Sequence, residues 1–195
     1  WVSSMVYSIV NKDAIVVGFS EIDDSLNPSL LFKLQRLDFF SILLANAGAA
    51  GWGYFWSGTG QNLGFFKEDF ISINGFNPVK DKISGDDMYL VQSISKIKSG
   101  FLSIDPNSFT KTLPAPTVKD FINQRTRWSS NSKVNYKNSP LFFTFLLIMF
   151  GLNLWLLATF IFGPFKAWLF AIKFCLDGLV IFLGSHLFER RTDFL

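Results

Sequence analysis

At 195 residues the chain has room for one domain with membrane segments beside it. Apolar residues make up 49% and aromatics 17%, and the 24 phenylalanines help concentrate that richness after residue 141, which points to a bilayer rather than an oversized core. The net charge of +3 comes from scattered Lys and Arg, which excludes a nucleic-acid-binding stripe, and a single Cys175 excludes an internal disulfide and a cysteine zinc cluster.

His186 is the lone histidine, so a His-ligated metal centre and a Ser-His-Asp triad are also disfavoured. It lies near the end of the apolar tail, where it reads as a membrane-interface residue. Cys175 sits in an apolar run and reads as a small hydrophobe. No signal-peptide pattern is expected among these residues. It opens at Trp1 inside a helical pattern, and the expectation is a C-terminal fragment of a longer protein.

Trp1, Val2, Met5, Val6 and Ile9 form the apolar face of that first helix, with a turn at residues 11–13. Residues 14–19 (Ala-Ile-Val-Val-Gly-Phe) are a continuous apolar run, as in a strand buried on both faces. Helix followed by buried strand is the interior of an α/β domain. Residues 21–24 read as a polar loop, and Asp23 and Asp24 as solvated acids rather than metal ligands. Asn27 and Pro28 would supply the N-cap and first position of a second helix. Leu30, Leu31, Leu34, Leu37, Phe40 and Leu44 carry it to about Asn46, with Lys33, Gln35, Arg36 and Asp38 on its polar side.

Residues 54–57 are a candidate strand. The glycine-rich stretch at 58–64 (Gly-Thr-Gly-Gln-Asn-Leu-Gly) can bring backbone N–H groups close to a ligand. It lacks the Lys-Ser/Thr ending of a P-loop and does not fit a dinucleotide fingerprint. A short helix at 68–73 ends at Asn74-Gly75-Phe76. The next helix has Ser84 as its expected N-cap, Leu90, Val91, Ile94 and Ile97 as its apolar positions, and Gly100 as its stop. Asp86 and Asp87 fall in its first turn, where unpaired N–H groups and the helix dipole stabilise anions. Asp87 is therefore expected to be ionised at neutral pH. Strands at 101–105 and 108–112 flank a Pro106-Asn107 turn.

Residues 113–116 (Leu-Pro-Ala-Pro) form a rigid connector to another helix, with Thr117 as N-cap and Asp120 three residues on. On it Gln124, Arg127 and Trp128 share a face at i, i+3, i+4. An amide, a guanidinium and an indole together can stack on a ring, donate to hydroxyls and neutralise a diphosphate. Residues 141–163 carry no charge and would span roughly 34 Å as a helix, enough to cross a bilayer. Asn153 within them is expected against another helix. Residues 165–188 form a second apolar segment, in which Lys173 and Asp177 can pair at i, i+4. Lys133, Lys137, Arg190 and Arg191 would place both ends of this hairpin in the cytoplasm.

Gly85-Asp86-Asp87 opening a helix, Gln-x-x-Arg-Trp beginning 37 residues after Asp87, and an apolar tail together resemble a family 2 glycosyltransferase. The likeness is to the membrane-bound, cellulose-synthase-like and hyaluronan- or chitin-synthase-like members, and it covers roughly residues 1–140. It implies an α/β fold: residues 1–139 as the C-terminal half of a GT-A (nucleotide-diphospho-sugar transferase) domain, and 140–195 as a transmembrane helical hairpin. It implies inverting transfer from a nucleotide-sugar donor to a glycan or lipid-linked acceptor, with Asp87 as base and Asp86 as its support. Gln124, Arg127 and Trp128, with Arg125 as the weaker candidate, would sit at the acceptor and diphosphate. Gly60, Gln61 and Asn62, followed by Phe65-Phe66-Lys67, resemble the family's loop beside the acceptor.

A divalent cation, Mg²⁺ or Mn²⁺, is expected from the family. Its Asp-x-Asp ligands would lie upstream of Trp1, so no metal site is expected in these residues and they alone should neither bind donor nor catalyse. The resemblance further implies a multi-pass protein of the cell membrane with a cytoplasmic catalytic part. Two other classes stay open. One is an inactive, membrane-anchored glycan-binding homologue. The other is a transporter component, motivated by Lys173 and Asp177, although two spans are few for that role.

Overall fold

The apolar run after the first helix becomes the strand around which the α/β part is built. The structure is a computed structural model that describes residues 1–23, 29–82, 84–130, 136–163 and 166–188. The chain divides into two compact units, Trp1–Lys133 and Val134–Leu195. In the first, α1 (Val2–Lys12) leads through Asp13, in the left-handed conformation (φ 48°), into β1 (Ile15–Gly18). β1 is the middle strand of three. It runs antiparallel to β3 (Leu63–Gly64) and parallel to β4 (Gly100–Ser103). The long connection between the parallel strands carries β2 (Ser20–Ile22), α2 (Leu30–Gly51), β3, α3 (Lys67–Ser72) and α4 (Asp86–Ile97), as a crossover allows.

Strand alternation sorts the core. Ile15 and Val17 pack with Leu90, Val91 and Ile94 of α4 (Asp86–Ile97), and Phe55, Leu63, Phe65, Phe70, Ile73 and Leu102 close round them. Val16 faces the other way, towards α1, whose Met5 is also buried. A second, two-stranded parallel sheet pairs β2 (Ser20–Ile22) with β5 (Thr110–Thr112). α2 (Leu30–Gly51) packs against β2, with Phe40 edge-on to Phe19 at 5.8 Å. The remaining helices of this unit are α3 (Lys67–Ser72) and α5 (Val118–Ser129).

Several sequence expectations change here for local reasons. Residues 21 and 22 belong to a strand, not a loop. Ser20 and Ile22 are buried, and Glu21 between them is mostly covered and pairs with Lys111 at 3.8 Å. Residues 54–57 form no strand. α2 starts at Leu30 with Ser29 accepting from the Phe32 N–H at 3.3 Å, and it runs through the Ala-Gly stretch to Gly51. Asp24, Asn27 and Pro28 lie outside the described residues. Gln35, assigned to the polar side, is buried and clamps the connector: its Oε1 accepts from the Ala115 N–H at 2.8 Å and its Nε2 donates to the Ala115 carbonyl at 2.9 Å.

Gly100 opens β4 rather than stopping α4, which ends at Ile97. A Cβ at Gly100 would lie 2.3 Å from the Phe55 ring. Thr117 does cap α5, accepting from the Asp120 N–H at 3.1 Å and donating to the Asp120 carboxylate at 2.6 Å.

The second unit holds α6 (Pro140–Phe162) and α7 (Ala167–Leu187). Both are long and apolar enough to cross a membrane. Ile148, Phe150, Phe160, Phe174 and Leu183 are exposed along them, so these are not the covered helices of a water-soluble core. Asn153 turns its amide back onto the Met149 carbonyl at 2.7 Å. Lys173 and Asp177 form the expected ion pair. Cys175 is exposed on α7, and His186 Nδ1 lies 3.0 Å from the Phe182 carbonyl oxygen. Pro164, and the Lys133, Arg190 and Arg191 that set the expected orientation, lie outside the described residues.

The Gln35 clamp gives a direct stability prediction. Gln35→Ala leaves both polar groups of Ala115 without their partner and should cost about 1–3 kcal/mol. Denaturant midpoints of the two proteins check this. An unchanged midpoint would show that the connector is held by other means.

Candidate functional site

Asp87 is positioned by a glycine on each side of it in space. Gly85 takes the N-cap of α4 at φ 88°, a left-handed conformation that a residue with a Cβ adopts only under strain. The expected cap, Ser84, makes no capping bond, and Ile83 lies outside the described residues. The turn at Gly85 points the two acids apart. Asp86 is exposed and Asp87 is half-buried. One Asp87 oxygen accepts from the Met88 N–H at 2.7 Å, and the other accepts from the Gly60 N–H at 3.2 Å. A Cβ at Gly60 would stand 3.6 Å from Asp87 Cβ, an ordinary van der Waals contact, so the loop and the acid lie side by side here.

The electrostatics differ from the sequence expectation. The helix terminus is only partly open to water at Asp87. Burial is the largest influence and pushes its carboxyl above the ordinary 3.8, with the Asp86 charge adding to the rise. The N–H groups of Met88 and Gly60 pull the other way. Asp86, assigned as support, therefore acts on Asp87 by repulsion, and the support comes from backbone N–H groups.

The glycine loop is held from below. Asn62 is fully buried, and its amide is used inside the protein. Nδ2 donates to the Phe19 carbonyl at 2.7 Å and the Ser108 carbonyl at 2.9 Å, while Oδ1 accepts from Trp1 Nε1 at 2.9 Å. Its place is beneath the loop, so it supports the loop and does not reach an acceptor. Gln61 and Gly60 are exposed at the loop's tip.

A second cluster joins α5 to α2. Arg125 makes an ion pair with Asp38, donates to Gln124 Oε1 at 3.3 Å, and lays its guanidinium over the rings of Trp128 (4.2 Å) and Phe121 (4.7 Å). Phe39 lies 6.3 Å from Trp128. Arg125, the weaker candidate for the acceptor and diphosphate, is thus the residue that ties this helix to α2, and Arg127 is exposed. Asp38 was hidden in the sequence among the polar residues of α2. An acid on that face with no partner on its own helix was the available signal.

The structure thus brings Gly60 to Asp87, and brings Gln124, Arg125 and Trp128 together. It leaves Asp86, Gln61 and Arg127 exposed and turns Asn62 inward. Among the described residues no group of three or more His, Cys, Asp or Glu side chains could hold a metal ion. No family model matches the chain, and no curated protein or solved structure matches it.

The raised Asp87 carboxyl has a sign that can be checked. Between the unfolded and folded pKa values the folded state binds the extra proton, so Asp87's contribution to stability is full below the unfolded value and is lost as pH rises through the folded one. Asp87→Asn should flatten that decline in a denaturation series from pH 3 upwards. A decline identical in the variant would show that the carboxyl is not shifted by its surroundings.

Proposed function

We propose that these residues carry the base and acceptor side of a membrane-bound, inverting glycosyltransferase. The observation that carries this reading is the Asp87 carboxylate, held half-buried at the N-terminus of α4 against the Gly60 N–H. The ordered motifs Gly85-Asp86-Asp87 and Gln124-x-x-Arg127-Trp128 support it, and so do the two apolar helices that follow.

In the proposed reaction an acceptor hydroxyl attacks the anomeric carbon of a nucleotide sugar from the face opposite the leaving group. The new C–O bond forms as the bond to the diphosphate breaks, and the nucleoside diphosphate departs with that electron pair. The hydroxyl proton passes to an Asp87 oxygen. A carboxylate whose affinity for protons is raised by burial is a stronger base while it remains ionised. The N–H groups of Gly60 and Met88 hold its orientation as it takes the proton. Arg127, exposed on α5, is placed in this reading to meet diphosphate charge, and Gln124 to bond sugar hydroxyls. Trp128 serves mainly through its edge, since Arg125 lies over its ring. The donor is a nucleotide sugar, the acceptor a glycan or lipid-linked sugar, and α6 and α7 anchor the protein in the cell membrane with the α/β unit on the cytoplasmic side.

The test is turnover of UDP- and GDP-sugars by the full-length protein, assayed in membranes washed at alkaline pH. The protein should stay with the washed membranes. Asp87→Asn should lose about 10²–10⁴-fold in rate, the range for removing a general base, with its far-ultraviolet circular dichroism unchanged. Wild-type turnover that survives in Asp87→Asn would refute the assignment. No turnover with any donor, together with retained binding of glycans, would favour the inactive glycan-binding homologue.

A further inference from the structure

Beneath the glycine loop lies a row of hydroxyls, buried at Ser20 and partly buried at Thr59 and Thr110, that the reaction above does not use. Ser20, fully buried on β2, has its Oγ 2.8 Å from Thr59 Oγ1 and 2.9 Å from Thr110 Oγ1. Ser20 and Thr110 are register partners across the β2–β5 pair. The row therefore fastens the loop to a sheet that contains no other part of the candidate site. Thr59 begins a tight turn that Asn62 closes, its N–H donating to the Thr59 carbonyl at 2.8 Å. Gly60 is the residue after Thr59 in that turn, and its N–H is the one on Asp87.

We infer that Ser20 and Thr59 are positioning residues for Asp87: their hydroxyl pair fixes the turn that carries the Gly60 N–H onto the Asp87 carboxylate. Neither side chain touches Asp87. The action runs through the backbone, and it needs a hydroxyl at each position because the partners are hydroxyls. A methyl in place of Thr59 Oγ1 would leave the buried Ser20 with one partner instead of two and release the start of the turn. The catalytic consequence rests on the role proposed for Asp87 above, but the geometry does not.

The groups around Asp87 make the effect readable. From its own helix the charged neighbour is Asp86, which raises its pKa. From the loop packed against it, residues 58–64 contribute backbone N–H groups and no ionisable side chain. Weakening the Gly60 bond removes an influence that favours the anion, so the Asp87 titration moves up.

The experiment is carbon-13 NMR of the full-length protein labelled at aspartate Cγ, with the Asp87 signal assigned by its loss in Asp87→Asn. Thr59→Val and Ser20→Ala should each raise the Asp87 midpoint by about 0.4–1 pH unit, the size expected for losing one hydrogen bond. Thr59→Ser should leave it at the wild-type value. Ser103→Ala, which removes a different buried hydroxyl pair (Ser103–Ser108, 2.8 Å), should leave it there too. An unmoved midpoint in whichever of Thr59→Val and Ser20→Ala is folded would overturn the inference. An equal rise in Ser103→Ala would also overturn it, by showing general loosening. Because this readout needs no turnover, failure of the transferase reading would leave the result interpretable.

Discussion

The buried amide of Asn62 is the contact on which the α/β unit depends. It takes the carbonyls of Phe19 and Ser108 and the indole N–H of Trp1, so one side chain joins the end of β1, the turn before β5 and the start of α1. A buried amide without partners would be costly, and here the chain supplies three. The contact requires Gly18, because a Cβ there would fall 2.4 Å from the amide. It also sets where the loop can go. The Asn62 carbonyl accepts from the Gly18 N–H at 2.9 Å, so the loop leaves β1 at a fixed point. The Gly60 N–H and then Asp87 follow from it.

Two clamps of different chemistry hold the other elements. Gln35 meets the backbone of Ala115 as one peptide group meets another, which fixes the connector that delivers α5. Arg125 then holds α5 by charge to Asp38 and by its flat face to Trp128 and Phe121. Asp38 is substantially exposed, so water screens this ion pair and geometry is its main contribution. A guanidinium fits this use because it can stack and bond in one plane, which an ammonium cannot. Lys98 ties the far end of α4 to α1 and α3 through Asp13 at 2.7 Å and Asp69 at 3.4 Å, and those carboxylates hold it above the usual lysine range.

What the sequence disclosed, and what it hid, follows from how these contacts are made. β1, the inner face of α4 and the Thr117 cap were readable, because unbroken apolar runs, helical spacing and local capping are written in consecutive residues. β2 was not, since Glu21 and Asp23 mask a strand only three residues long. Gln35 read as a polar-face residue and Asn62 as part of the loop beside the acceptor, because nothing adjacent reveals a partner 80 or 46 residues away. Arg125 was underrated because helical spacing gives the direction of a Cβ, and a long side chain can bend back over the next turn. For Asp87, the acidic pair and the glycine loop were both legible separately. Their meeting, and the burial that outweighs the helix terminus, depend on the β1–β3 pairing and on the left-handed Gly85.

The measurement that bears most directly on this account is the pH dependence of nucleoside diphosphate release by the full-length protein at low donor and acceptor concentration. The account requires an acid limb in which the rate rises with pH as one carboxyl ionises, at a midpoint above the ordinary aspartate value, and that limb should vanish in Asp87→Asn. A rate that does not vary across this range, or a limb that persists unchanged in the variant, would contradict the claim that Asp87 is the base.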